Sequence, residues 1–398
     1  MRPWLELRRK DTRDIARVCH IAVLAVLSSG CAMRAARVNT TAFAPAVADS
    51  VRSVLEQALA DSVFPGAIAV VGRRAEIVAQ QAVGRIDWPE NAPAPTDSSI
   101  WDLASLTKVV GTTTAIMQLW SARLVDLDAP VARYLPRFTT PGASEVTVRH
   151  LLTHSSGLPA HRRFFEMSTS PADVLDSLYS TPLDTTPGTR MVYSDLGAML
   201  LGQIVERVTG LPLDSYLARH VFEPLRMRET LFRPAPAQWA SVAPTERDPW
   251  RGRQVRGDVH DENAHALGGV SGHAGLFGSA RDLVRFARMM LNGGALDSVR
   301  IVERKAIREF TKRQNRKLSH RALGWETPNG TNSAGSRASR SAYGHTGFTG
   351  TSIWIDPRRD LFVVLLSNRV NPSRTGDEIR AVRARLADAV FGAYDAAR

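Results

Sequence analysis

The spacing of apolar positions changes several times along the chain. From Asp49 to Asp61 they recur at helical spacing through Val51, Val54, Leu55 and Leu59, which predicts an amphipathic helix. Two apolar runs follow, Gly66–Val71 and Ile77–Val83, split by Gly72-Arg73-Arg74, a pattern that predicts a β-hairpin. Ser105–Leu124 reads as one long helix. The stretch from Asp126 to Asn292 is mostly helical in spacing, broken at Pro159, Pro182, Pro187 and Pro224. Ser279-Ala280-Arg281-Asp282 has the form of an N-cap with an acid at the third helical position, opening a helix over Leu283–Leu291. Strand signals return in Tyr343–Ile355 and Leu361–Leu366, joined by the turn Asp356-Pro357-Arg358-Arg359-Asp360. Glu378–Ala393 is predicted to be a helix. Thr327–Ser341, rich in Gly, Ser and Asn, is predicted to be a mobile loop, and no repeat period is visible.

Strands at both ends with helices between them predict an α/β (α+β) fold. An antiparallel sheet lobe closed by the two termini would be flanked by helices and interrupted by an inserted all-helical lobe over roughly 125–290. The expectation is a single unit over 48–398, not two separable domains.

Composition adds limits. An apolar content of 44% and a charged content of 23% are those of a globular chain with a full core. The net charge of +12 comes from dispersed arginines with no basic block and no aromatic interleaving, which argues against nucleic acid as a partner. The first 17 residues carry Arg2, Arg8, Arg9, Lys10, Arg13 and Arg17. Val18–Leu27 follows, apolar except for His20, too short to span a bilayer and shaped like a signal-peptide core. Ser28-Ser29-Gly30-Cys31 then resembles a bacterial lipoprotein cleavage site, although Ser28 stands where that pattern prefers leucine. Residues 1–31 are therefore expected to be a lipoprotein-type signal segment. Cys31 would be the lipidated residue, 32–47 a tether, and the membrane a partner through the lipid anchor. Simple export or an uncleaved anchor are the alternatives. With Cys19 and Cys31 both at this end, the remaining chain has no cysteine pair.

The chemistry concentrates at Ser105-Leu106-Thr107-Lys108. A hydroxyl and an amine three residues apart share one face of a helix. A serine in the first turn meets the free N–H groups and the positive end of that helix. Four residues thus combine a nucleophile, a proton acceptor or its electrostatic helper, and part of an oxyanion site. Lys108 is one of only five lysines, beside Lys10, Lys305, Lys312 and Lys317, in a chain with 51 lysines and arginines. Arginine cannot release its proton, whereas a desolvated lysine can. Alone, the motif also fits a surface lysine early in an ordinary helix.

Two further segments give it company: Tyr193-Ser194-Asp195 before the apolar run Leu196–Val208, and His345-Thr346-Gly347 within Tyr343–Ile355. The order S-x-x-K, Y-S-[N/D], [K/H]-T-G resembles the serine penicillin-recognising hydrolases: class C β-lactamases, low-molecular-weight penicillin-binding proteins, DD-peptidases and related esterases. Leu151–Pro159 and Gly272–Phe277 look like supporting segments, and the resemblance runs from about Val51 to Phe391. It implies a β-lactamase/transpeptidase-like fold with the active site between a sheet lobe and a helical lobe. It also implies a serine hydrolase that forms an acyl-enzyme and uses no cofactor.

On that resemblance Ser105 is the expected nucleophile, and Lys108 and Tyr193 share the proton relay as a coupled pair. The backbone N–H groups of Ser105 and Phe348 would form the oxyanion hole. Asp195, His345, Thr346 and Gly347 would contact substrate, Gly347 by letting backbone approach closely. Two departures stand out. Asp195 only accepts hydrogen bonds where many relatives place an asparagine. His345 is partly uncharged at neutral pH where relatives that bind a carboxylate often have lysine. Both weaken recognition of an anionic β-lactam. The expected substrates are D-amino-acid peptides, as for a DD-carboxypeptidase, or small esters and amides. A true class C-type β-lactamase is the alternative within the class, and a non-catalytic wall-binding or sensor protein the alternative outside it. The histidines and acids of Asp258–His265, with His273, lack standard zinc spacing and are expected to line the cleft or brace its floor rather than hold a metal. His154 and Ser156 are expected to order a turn near Gly157 and Pro159.

Overall fold

The computed structural model describes residues 40–398; the signal-type segment and Cys31 lie outside the described residues. The expected tether is corrected at its end. Thr40–Ala60 is one helix, and Phe43 and Val47 are buried, so the packed unit begins before residue 48. Phe43, Val47, Val51, Leu55 and Ala58 continue a single apolar stripe, which Pro45 inside the helix obscures in the sequence.

Five antiparallel strands form the main sheet, in the order Tyr343–Thr346, Ser352–Asp356, Leu361–Ser367, Gly66–Gly72, Ile77–Gly84. The hairpin and the terminal closure are as expected. The central strands read as continuous apolar runs because both faces are covered. Ala67, Ala69 and Val71, with Leu361, Val363 and Leu365, pack on the N-terminal helix and on the C-terminal helix Ile379–Ala396. Ile68, Val70, Val364 and Leu366 face the other way into the main core. Phe43 meets Tyr394 edge-on at 5.7 Å where the two terminal helices cross.

Three expectations about elements change. Tyr343–Ile355 is two strands. Gly347-Phe348-Thr349-Gly350 turns the chain back, and Gly350 at φ +123° has Ser367 Oγ within 2.2 Å of any Cβ, so only glycine fits there. The Ser105 helix is shorter and irregular. A π-type turn over Lys108–Thr113 leads into an α-helix over Thr114–Ser121, and the chain turns out at Arg123 with φ +61°. The inserted lobe is not all helical. It holds Val148–Leu152, Pro171–Tyr179, Asp195–Thr209 and Leu213–Leu217, but also the strands Leu231–Phe232 and Leu276–Gly278; Leu276–Gly278 is the centre of a small sheet, with Trp101–Asp102 on one side and Leu231–Phe232 on the other. Glycine and proline breaks between residues 223 and 278 leave only short helical segments there, Pro236–Ser241 and Glu262–Ala266. Ala280–Leu291, capped by Ser279 Oγ accepting from Asp282 N at 3.3 Å, packs on the sheet and belongs to that lobe. The Thr327–Ser341 segment is hydrogen-bonded in place. Ser336 N and Arg337 N donate to Asp388 Oδ1 at 2.7 and 2.9 Å, and Ser339 Oγ donates to Asp356 at 2.6 Å.

Candidate active site

Ser105 stands on a tight turn between the strand Trp101–Asp102 and the helix that carries Lys108. Ala104 adopts φ +45°, a left-handed conformation that a residue with a Cβ holds only when its surroundings enforce it. The buried Asp102 carboxylate enforces it, accepting from Ala104 N at 2.8 Å and from His260 N at 2.7 Å. Burial alone raises the Asp102 pKa, and these two donors oppose the rise. Thr107 Oγ1 accepts from Leu276 N at 3.1 Å and ties the first helical turn to the small sheet.

Lys108 is 4% exposed, and each of its three N–H bonds has an acceptor: Ser105 Oγ at 2.9 Å, His273 O at 3.0 Å and Asp195 Oδ1 at 2.7 Å. Burial by itself lowers the lysine pKa. The Asp195 charge, followed by Tyr193, more than reverses that, so the pKa lies above the ordinary lysine value. The Asp195 carboxyl is pushed up by burial but held well below its usual range by Lys108 and by His161, whose Nδ1 lies 3.8 Å from it. Of the two roles left open for Lys108, proton acceptor or electrostatic helper, the geometry fits the helper: it rests as an ammonium that donates to Ser105. One expectation is revised. Asp195, expected to meet substrate, spends its Oδ1 on Lys108, although it still lines the cleft.

Tyr193 is half-buried, with its ring centroid 5.0 Å from Lys108 Nζ and 5.1 Å from Arg321 Cζ. His154 lies against the same ring, with centroids 4.6 Å apart and the planes tilted by 41°. Its Nδ1 accepts from Ser194 N at 3.1 Å, while Ser194 Oγ donates to Pro159 O at 2.7 Å and caps the helix Asp195–Thr209. The turn expected around His154 is therefore also the support of Tyr193. Burial, then the charges of Arg321 and Lys108, drive the His154 pKa well below its ordinary value, so the ring is neutral.

His345 is buried 5.9 Å from Tyr193, centroid to centroid. Its Nδ1 lies 2.8 Å from Thr346 O; a carbonyl only accepts, so Nδ1 carries the proton and Nε2 is a bare acceptor without a partner. Burial, then Arg321 and Lys108, keep this ring neutral too. Gly347 approaches protein rather than open space. A Cβ there would sit 2.1 Å from Thr351 Oγ1 and 2.5 Å from Leu103 O. Thr349 Oγ1 and Thr351 Oγ1 donate to Asp102 O and Leu103 O at 2.7 and 3.1 Å, and Arg383 Nη2 donates to Gly347 O at 2.6 Å. The third motif and the Ser105 turn are thus bonded together. Among the described residues neither the Ser105 N–H nor the Phe348 N–H has a hydrogen-bond partner.

These groups open onto a cleft of about 560 Å³. The histidines of the 258–273 segment pair with acids: His260 with Glu246 at 2.9 Å, His265 with Asp258 at 2.9 Å, and His273 with Asp261 at 2.8 Å; of these six residues only His260 and Asp261 line the cleft. No group of three His, Cys, Asp or Glu among the described residues is placed to share a metal. Sequence reasoning missed Asp102, His161, Arg321 and Arg383. Asp102 adjoins the serine motif and could have been suspected. Arg321, 7% exposed with Nη2 on Glu326 at 3.0 Å and Nη1 without a partner, carried no signal among so many arginines.

The sequence profile of the Beta-lactamase family matches residues 51–388. A Bacillus subtilis (strain 168) protein named N-acetylmuramyl-L-alanine amidase is 36% identical over 346 residues, 77% of this chain and 77% of that protein. A Salmonella typhi protein named as a candidate D-alanyl-D-alanine carboxypeptidase is 34% identical over 305 residues, 69% of this chain and 70% of its own length. Among solved structures, a penicillin-binding protein homologue from Caulobacter crescentus has a TM-score of 0.70 at 21% identity, over 87% of this chain and 97% of its own. EstCE1, described as a hydrolase with promiscuous acyltransferase activity, reaches a TM-score of 0.71 at 21% identity, over 88% of this chain and 99% of its own. Likeness at that identity shows a shared fold.

Proposed function

This chain belongs to the Beta-lactamase family, and on that premise we propose that it is an exported serine hydrolase that cleaves amide bonds of peptidoglycan-derived peptides through an acyl-enzyme. The observation that carries the reading is the ammonium of Lys108 held 2.9 Å from Ser105 Oγ, beside two backbone N–H groups left without partners.

Ser105 Oγ attacks the amide carbon, and the oxygen that becomes negative accepts from the N–H groups of Ser105 and Phe348. Because Lys108 donates to Oγ, the hydroxyl proton leaves in another direction, and Tyr193, acting as its phenolate beside the Lys108 ammonium, is the group we assign to receive it. Lys108 supplies the fixed positive charge against which that proton departs. Tyr193 then hands the proton to the leaving amine, and water reverses the sequence to release the acyl group. His345 is neutral and brings no charge to a substrate carboxylate. Arg321, which lines the cleft with its Cζ 5.1 Å from the Tyr193 ring centroid, is the cation we assign to that task.

The Bacillus subtilis and Salmonella typhi relatives, at 36% and 34% identity, are named for an amidase and a carboxypeptidase, and both names denote cleavage of an amide bond. Four substrates separate the readings: an N-acetylmuramyl-L-alanyl peptide, a peptide ending in D-alanyl-D-alanine, a p-nitrophenyl ester and nitrocefin. We expect turnover of at least one of the two peptides, abolished in Ser105→Ala, with nitrocefin the poorest. A preference for nitrocefin would mean a β-lactamase. Binding of the peptides without turnover, unchanged in Ser105→Ala, would mean a wall-binding protein. Export and anchoring through Cys31 form part of the proposal, supported by the apolar run Val18–Leu27 and the small residues before Cys31. Labelled fatty acid should enter the wild type and not Cys31→Ser.

A further inference from the structure

Away from the cleft, a groove of about 1100 Å³ runs between the helix Arg304–Thr311, the segment after it, and the 328–341 segment. Its walls carry Arg304, Arg308, Lys312, Arg313, Arg316 and Arg340, and no aspartate or glutamate lines it. Arginine is common throughout this chain, so the number of cations alone decides nothing. The absence of acids among them does: the Ser105 cleft also carries several arginines, but with Asp195, Asp261, Glu262, Glu326 and Asp377 beside them, whereas this groove has none. In the groove, Arg304, Arg308, Arg316 and Arg340 have no carboxylate partner among the described residues, and only Lys312 has one, Glu309 at 3.5 Å. Arg313 is turned inward, with its Nε on Thr327 Oγ1 at 3.0 Å and its Nη2 on Pro328 O at 2.8 Å. Its pKa is lowered, first by burial and then by the like charge of Arg316.

A second observation points to a missing acceptor. Tyr343 is 1% exposed, lies on the groove wall, and its hydroxyl has no hydrogen-bond partner. A buried phenol normally finds one. Guanidinium groups with no acid among them, lining one groove with a residue whose hydroxyl is unpaired, call for an anion with several oxygen acceptors and more than one negative charge. Phosphate matches the guanidinium fork and carries that charge density.

We propose that this groove binds a ligand bearing phosphate groups, anchored by Arg304, Arg308, Arg316 and Arg340 with the Tyr343 hydroxyl as an inner donor. The site is separate from the Ser105 cleft and does not depend on the hydrolase reading.

Inorganic tripolyphosphate is the probe, titrated calorimetrically into the purified protein at low salt and at about 0.15 M salt. Binding at one site that weakens with salt is expected. The double variant R308E/R316E should weaken it by at least roughly tenfold. The control R207E/R219E makes the same charge change at exposed arginines of the helical lobe and should alter it by less than about twofold. Tyr343→Phe removes only the unpaired hydroxyl and gives a second reading should the double variant fold poorly; it should weaken binding while leaving Ser105-dependent turnover unchanged. Sedimentation with phosphatidylglycerol vesicles, against phosphatidylcholine vesicles, is the arm that tells a lipid headgroup from a free phosphate; vesicle binding lost in R308E/R316E supports the groove with lipid as the source. Equal losses in the two double variants, or binding of neither tripolyphosphate nor phosphatidylglycerol vesicles, would overturn the proposal.

Discussion

Replacing Asp195 by asparagine tests the central electrostatic feature of the site. The substitution keeps shape and an acceptor but removes a negative charge 2.7 Å from Lys108 Nζ. At that distance and an effective dielectric of about 20, the pair attraction is ~6 kcal/mol before solvation is counted. A lower bound follows from hydrogen bonding alone, since a bond to a charged acceptor exceeds a neutral one by roughly 1–1.5 kcal/mol. The Lys108 pKa should therefore fall by at least about one unit. Burial, which already opposes the charge, would then act with less opposition. Selective ¹³C labelling of lysine side chains makes the measurement tractable, because the chain has only Lys10, Lys108, Lys305, Lys312 and Lys317, and Lys108→Met identifies the signal. In the wild type the Lys108 signal should stay in its protonated position to the highest pH at which the fold survives; in Asp195→Asn a titration midpoint should appear. Stability should agree in sign. The lysine is raised, so its share is present below the ordinary lysine pKa and lost as pH rises through the folded value. The aspartate is lowered, so its share is present above the ordinary carboxyl pKa and lost as pH falls through the folded value. The gap in unfolding free energy between wild type and Asp195→Asn should then be flat from about pH 4 to pH 10 and shrink below that. A Lys108 midpoint in the variant at or above that of the wild type would refute the reasoning.

Three other outcomes are expected. Gly347→Ala would place a Cβ 2.5 Å from Leu103 O and displace the Phe348 amide; kcat should drop by about 10²–10³ with little change in KM, and full activity would dismiss the two-amide oxyanion site. His154→Phe keeps the ring contact with Tyr193 but strands the Ser194 N–H, so urea unfolding should show a loss of about 1–3 kcal/mol. Lys108→Ala should lower turnover by about 10²–10⁴ and also destabilise the protein by up to about 3–5 kcal/mol, because Asp195 loses its partner. That stability deficit should narrow on acidification, where Asp195 can protonate; a deficit independent of pH would show that the pair contributes nothing to the fold.

How far the chain could be read follows from the range of each interaction. The spacing of Ser105 and Lys108 is a property of one helical turn, so their 2.9 Å contact was legible before any fold was known. The same holds for the Gly66–Gly72 and Ile77–Gly84 hairpin and for the Ser279 cap. The split of Tyr343–Ile355 was less visible, since Gly350 is compelled by Ser367, a residue on a different strand. The role of Asp195 misled because its place in the second motif suggested a group facing substrate, whereas the fold sets its carboxylate against Lys108.

By itself, then, the sequence determined the first hairpin, the Ser105–Lys108 spacing and the Ser279 cap, which rest on backbone periods and on contacts a few residues apart, and the placing of strands at both ends of the chain, from which closure of the sheet by the termini followed. Only the tertiary structure decided that Lys108 is charged, that Arg321 faces Tyr193 and that four arginines share a groove without an acid. Protonation and pairing depend on which distant charges the fold brings within a few ångströms and how much water it removes, and no spacing along the chain encodes that.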